Sequence, residues 1–141
     1  MYRVTFVSGL FGGRKNRELS NANLGVLLSA LTEINVLELN AYPHIPDLYT
    51  SGVRYENEAV GVEDWTDILT TLSRGFGDCE DLACWRAAEL RVRHNIDARP
   101  YFSFRKVGPG KTLYHIQVAY PDGRIEDPSK ALGMGLKRSP G

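Results

Sequence analysis

The stretch G-F-G-D-C-E-D-L-A-C-W-R-A-A-E-L-R, from Gly75 to Arg91, carries the reading of this chain. A glycine-punctuated turn gives way at Cys79 to a strongly helical run that extends to about Arg93. Leu82, Ala83, Ala87 and Leu90 form its expected buried stripe, and its alanines let a neighbouring element approach closely. Asn95 suits the left-handed C-terminal cap. The first N–H groups of a helix are unpaired and carry partial positive charge, so a sulfur held there is favoured as thiolate, the nucleophilic form.

Downstream of that helix, Ala98 to Val107 and Thr112 to Tyr120 alternate as strands around a Gly108-Pro109-Gly110 turn. Pro121-Asp122-Gly123-Arg124 predicts a second turn before a short third strand through Ile125. Upstream, Tyr2, Val4 and Phe6 alternate as a short strand or extended arm, and residues 8–17 read as a loop. From about Ser20, Leu24, Leu27, Leu28, Leu31 and Ile34 recur at helical spacing and predict a core-facing helix ending near Leu39. Residues 40–58 read as an ordered, winding connection, too apolar in Tyr42, Ile45, Leu48, Tyr49, Val53 and Tyr55 for a free linker. A second helix is expected over Glu63 to Arg74, with Trp65, Ile68, Leu69 and Leu72 on one side and Gly75 as its stop.

Helices followed by an antiparallel meander define an α+β chain, expected to form one domain over residues 1–141. Its core covers about 63–134, with an N-terminal arm and loop over 1–19 and a tail over 135–141. Lysine plus arginine and aspartate plus glutamate each total 17, which gives no basic excess for gripping a nucleic-acid backbone. No apolar run is read as approaching the ~20 residues that cross a bilayer, and the N-terminus lacks the apolar core of a signal peptide. Nucleic acid and membrane are therefore not expected partners. Cys79 and Cys84 stand five apart on one helix and point to different faces, so no disulfide is expected between them.

On the strand from Thr112, His115 shares a face with Leu113, Gln117 and Ala119, while Tyr114, Ile116 and Val118 share the other. Asp127 follows the turn and falls on the neighbouring strand beside His115. A cysteine nucleophile needs a base within hydrogen-bond reach and a group that fixes the base's tautomer. Cys79, His115 and Asp127 supply these in the chain order of papain-like enzymes. The backbone N–H of Cys79 is the first expected oxyanion donor, and Trp65, Asn57 and Tyr55 are candidates for the second.

Plainer readings stand beside this one. A lone free cysteine commonly packs as a small hydrophobe, which is how Cys84 is read. His44 and His94 have no comparable acidic neighbour in sequence. Asp127 could cap the turn before Pro128, and Asp81 could serve helix initiation while its charge disfavours the thiolate. Asp78, Glu80, Asp81, Glu126 and Asp127 lack the alternation of a calcium loop, and Cys79 with His115 lacks paired zinc-ligand spacing. No metal and no cofactor are expected.

At these residues the chain resembles the transglutaminase-like cysteine peptidase superfamily. The matching words are G-D-C-E-D-L-A at Gly77 to Ala83, A-E-L-R at Ala88 to Arg91 and N-I-D-A-R at Asn95 to Arg99. They continue with Y-H-I-Q-V at Tyr114 to Val118 and D-G-R-I-E-D-P-S at Asp122 to Ser129, and together span about Glu63 to Met134. Members usually carry glycine where this chain has Asn95. The resemblance implies a papain/transglutaminase-like core with Cys79 as nucleophile, His115 as base and Asp127 as its orienter. It implies a thiol acyl-transfer enzyme acting on peptide or amide bonds, with hydrolysis slightly favoured because so small a chain leaves little surface for an amine site.

The upstream words P-D-L-Y-T-S-G-V-R-Y and E-D-W, at Pro46 to Tyr55 and Glu63 to Trp65, resemble compact versions encoded by tailed bacteriophages. That implies a peptide or protein substrate, other phage structural proteins as partners, and a place in the host cytoplasm or the virion. The alternative it allows is a non-catalytic component of a phage head, neck or tail that keeps the fold.

Overall fold

The computed structural model describes residues 3–7, 14–57, 62–106, 108–109 and 112–135, with helices and strands mixed as an α+β chain. The elements run β1 (Arg3–Val7), α1 (Arg14–Ala41), a 3-10 turn (Leu48–Thr50), β2 (Arg54–Tyr55), β3 (Val62–Thr66), α2 (Ile68–Arg74) and β4 (Phe76–Gly77). They continue with α3 (Cys79–His94), β5 (Arg99–Lys106), β6 (Thr112–Ala119), β7 (Ile125–Glu126) and α4 (Pro128–Ala131). The final three strands form the antiparallel meander expected from sequence, in the order β5-β6-β7.

α3 lies at the centre. Leu82, Ala83, Cys84, Trp85, Ala87, Ala88, Glu89 and Leu90 are all buried, so apolar surface surrounds the helix instead of forming a single stripe. On one side Ala83, Cys84, Ala87 and Leu90 meet Leu28 and Leu31 of α1, Trp65 of β3, and Ile116 and Val118 of β6. On the other, Leu82, Trp85 and Ala88 meet Leu39, Ile45, Leu48, Val53 and Ile68. Cys84 is buried as expected, with its Sγ 3.5 Å from the Leu28 carbonyl.

The expected helix over Glu63 to Arg74 is corrected. Residues Val62–Thr66 form β3, antiparallel to β1 with Val4 opposite Trp65, and α2 begins only at Ile68. Asp67 divides the two elements. Its side chain accepts from the Thr70 N–H at 2.9 Å as the N-cap of α2, and Gly75 stops the helix at φ 83°.

α1 also differs from expectation. It starts at Arg14, so residues 14–17 are helical, whereas 8–13 and 136–141 lie outside the described residues. The segment Ala22–Ala41, with mean hydropathy 1.3, is long and apolar enough to cross a membrane by length and composition, contrary to the sequence expectation. A third of that window is buried in the fold, and its buried face includes the polar Thr32, Asn35 and Glu38. The reason is local to α2. Asn35 Oδ1 accepts from the Ile68 N–H at 2.9 Å and Glu38 Oε1 from the Leu69 N–H at 3.1 Å. Together with Asp67 they satisfy the first three N–H groups of α2, which a short buried helix cannot leave unpaired. Burial, then contact with Asp67, pushes the Glu38 carboxyl up to about 8.

Candidate active site

Three local devices place Cys79. Asp78 is the N-cap of α3, and a capping box joins it to Asp81, whose Oδ2 accepts from the Asp78 N–H at 3.1 Å. Asp81 also accepts from the Thr66 N–H at 2.8 Å and from Arg74 Nη2 at 3.1 Å, so this buried carboxylate ties β3 and α2 to the start of α3. Its service to helix initiation and to the loop, anticipated from sequence, is what the geometry displays. Gly77 gives the third device. A Cβ there would stand 3.1 Å from Asp81 Cβ, 3.1 Å from Thr71 Cγ2 and 3.2 Å from Leu82 Cδ2. Only glycine lets β4 press this closely against the helix.

His115 and Asp127 meet as expected. His115 Nε2 lies 2.8 Å from Asp127 Oδ2, and Gln117, two residues along the same strand face, places Nε2 3.2 Å from the same oxygen. Ile116 and Val118, on the other face, enter the core. The second oxygen of Asp127 accepts from the Lys130 N–H at 3.2 Å and caps α4. Burial would raise the Asp127 carboxyl, but hydrogen bonds from His115, Lys130 and Gln117 outweigh it and hold the group below the usual carboxylate range. An ionised carboxylate only accepts, so His115 Nε2 carries the proton that it donates, and in the neutral ring this leaves Nδ1 as the bare nitrogen. Among the described residues Nδ1 makes no hydrogen bond.

Cys79 is partly buried and packs against the core cluster that contains Ile116, the residue next to His115. Its thiol donates to Glu80 Oε2 at 3.3 Å. No hydrogen bond joins Cys79 to His115 among the described residues. Burial pushes the thiol up, the carboxylates of Glu80 and Asp78 push it further, and a hydrogen bond with the backbone of Ile116 pulls the other way without outweighing them. The flanking carboxylates thus oppose the pull of the helix terminus on the sulfur, in keeping with the sequence reading that acidic neighbours disfavour the thiolate. The Cys79 N–H, expected as an oxyanion donor, donates to Asp78 Oδ1 at 2.7 Å.

The remaining candidates divide. Tyr55 sits at the site: burial first, then Asp78, Cys79 and Glu80, push its phenol up, and its hydroxyl donates to Asn57 Oδ1 at 3.3 Å. β2 brings Tyr55 there by pairing parallel to β4, with Tyr55 opposite Gly77, and Asn57 follows two residues beyond. Trp65 is 2 % exposed and belongs to the core wall against which Cys79 packs. Asp78, Cys79 and Glu80 hold their donor atoms within 4.8 Å of one another, a set that sequence spacing did not single out as a metal site.

Sequence reasoning weighed Glu126 only as a calcium ligand and missed its pairing with Arg86. Arg86 Nε lies 2.7 Å from Glu126 Oε2, and Tyr49 and Tyr120 donate to the same carboxylate. The helical step of seven from Cys79 to Arg86 was the available signal. No family model, curated protein or solved structure matches the chain.

Proposed function

We propose that the protein is a thiol-dependent acyl-transfer enzyme acting on a peptide or amide bond, with a papain/transglutaminase-like core. The observation that carries this reading is the His115–Asp127 pair at 2.8 Å, beside the strand residue against which Cys79 rests. In the proposed cycle the thiol turns from Glu80 toward His115 Nδ1, which takes its proton. The sulfur attacks the carbonyl carbon, a thioester forms, and the imidazolium returns the proton to the leaving amine. Asp127 stabilises the imidazolium throughout. Tyr55, whose phenol feels the Cys79 sulfur electrostatically, is the proposed donor to the oxyanion and would turn from Asn57 to serve it. Water as acceptor gives hydrolysis and a lysine amine gives a cross-link.

A second reading has its own support. The resting thiol faces Glu80 and the Cys79 N–H is taken by Asp78, which suits a scaffold that keeps the fold without the chemistry. The looser resemblance of the upstream words to compact forms encoded by tailed phages supports such a scaffold as a head, neck or tail component of a phage particle. An acyl-trapping experiment separates the two. Incubation with an activated ester of a short peptide should add one acyl group to Cys79 by intact-mass and peptide mapping. Its absence, or equal labelling of Cys79→Ala protein, would favour the scaffold.

A further inference from the structure

Arg86 stands seven residues beyond Cys79 on α3, so the two side chains leave the helix in nearly the same direction, about 10 Å apart along its axis. Arg86 reaches the strand that precedes Asp127. Its Nε is 2.7 Å from Glu126 Oε2 and its Nη2 is 3.4 Å from Oε1. The same carboxylate accepts from Tyr49 Oη and from Tyr120 Oη, each at 2.5 Å. The Tyr49 ring lies against the guanidinium, 4.9 Å from its centre, and Arg86 Nη1 also holds the buried Glu89 at 2.5 Å. Glu89 in turn accepts from the Leu48 N–H at 2.7 Å.

This anchorage is large for the element it secures. β7 has two residues and pairs with β6 only through Val118–Glu126 and Ala119–Ile125. A strand this short frays unless something else fixes it. The next residue is Asp127.

We propose that Arg86, Glu126, Tyr49 and Tyr120 form a positioning clamp that fixes Asp127 and, through it, keeps the His115 proton on Nε2 and Nδ1 bare. The clamp's purpose rests on the acyl-transfer reading; its effect on the imidazole does not. α3 then carries both the nucleophile and, two turns on, the anchor for the carboxylate that orients the base. Relative placement of the three groups is set by one rigid helix. Burial opposes the charge on Glu126, but its hydrogen bonds from Arg86, Tyr120 and Tyr49 hold it below the usual carboxylate range, so the clamp is ionised at neutral pH.

The test is NMR of the full chain with ¹⁵N-labelled histidine, at a pH where the ring is neutral. Wild-type His115 should show the Nε2–H tautomer and slow Nε2–H exchange with water. Glu126→Gln should give a tautomer mixture and exchange about three- to tenfold faster, the effect of losing a hydrogen bond of ordinary net strength. Tyr49→Phe combined with Tyr120→Phe keeps the Arg86–Glu126 charge pair, guards against simple unfolding, and should shift both readouts the same way. Asp122→Asn, which removes an exposed partner of Arg124 on the nearby turn, should leave both unchanged. Unaltered tautomer and exchange in the folded clamp variants would overturn the proposal. Cys79 alkylation that ignores His115→Ala would instead overturn the acyl-transfer reading, and the imidazole spectra decide the clamp independently of it.

Discussion

Asp127 accepts from His115 Nε2 through one oxygen, at 2.8 Å, and caps α4 through the other, so the residue that orients the imidazole is itself held by a helix terminus. The two functions reinforce each other. Pro128 at the first helical position fixes the backbone direction just after Asp127, and the carboxylate has little freedom left. Among the described residues no hydrogen bond joins this imidazole to the Cys79 sulfur, which faces Glu80.

Glu80 accounts for that resting state, and its removal should be visible. Glu80→Gln keeps an oxygen for the thiol but deletes the carboxylate that disfavours the thiolate. Iodoacetamide should alkylate Cys79 at least about threefold faster in this variant at mildly alkaline pH, the change expected from relieving part of a like-charge penalty. Measured rates equal to wild type would show that Glu80 does not restrain the sulfur.

Gly77→Ala should be costly although its backbone requires no left-handed conformation. The new methyl meets Asp81, Thr71 and Leu82 at 3.1 to 3.2 Å, and two of those contacts belong to α3. Overpacking of this kind costs about 1–3 kcal/mol. Urea unfolding should record a loss in that range with an unchanged slope, whereas neutrality would mean that β4 yields easily.

Glu38 gives a pH dependence with a definite sign. Its carboxyl is raised to about 8 in the fold, so between the unfolded value near 4.5 and 8 the native state holds a proton that the unfolded state has lost. The stability contributed by this group is complete below about 4.5 and is lost as pH rises through 8, with a slope of up to about 1.4 kcal/mol per pH unit. Glu38→Gln retains an oxygen for the Leu69 N–H and should flatten the decline between pH 5 and 8. Unfolding midpoints across that window check it, and an equal slope in both proteins would contradict the assignment.

The features legible in the sequence were those governed by neighbours in sequence. Gly75 and Asn95 end their helices in left-handed conformations, at φ 83° and 54°, because their own backbone chemistry permits it. The pairing of His115 with Asp127 followed from strand alternation and one tight turn. Trp65 misled because its three-residue step to Ile68 imitates a helix, although Asp67 carried the capping signal that separates strand from helix. Asn35 and Glu38 could not be read as buried, since the N–H groups they satisfy lie more than thirty residues away. β2 and β4 are two-residue strands paired in parallel, too short to show any period. The orientation of the Cys79 thiol depended on Glu80, which the helix turns inward to 3 % exposure against the usual preference of a glutamate.

The most direct measurement is the rate of Cys79 alkylation across pH in wild-type and His115→Ala protein, mapped by mass spectrometry with buried Cys84 as internal reference. The account predicts selective labelling of Cys79 and a fall of about tenfold or more when the imidazole is removed, as loss of a positioned base brings. Labelling of Cys79 no faster than Cys84, or a rate indifferent to His115, would contradict it.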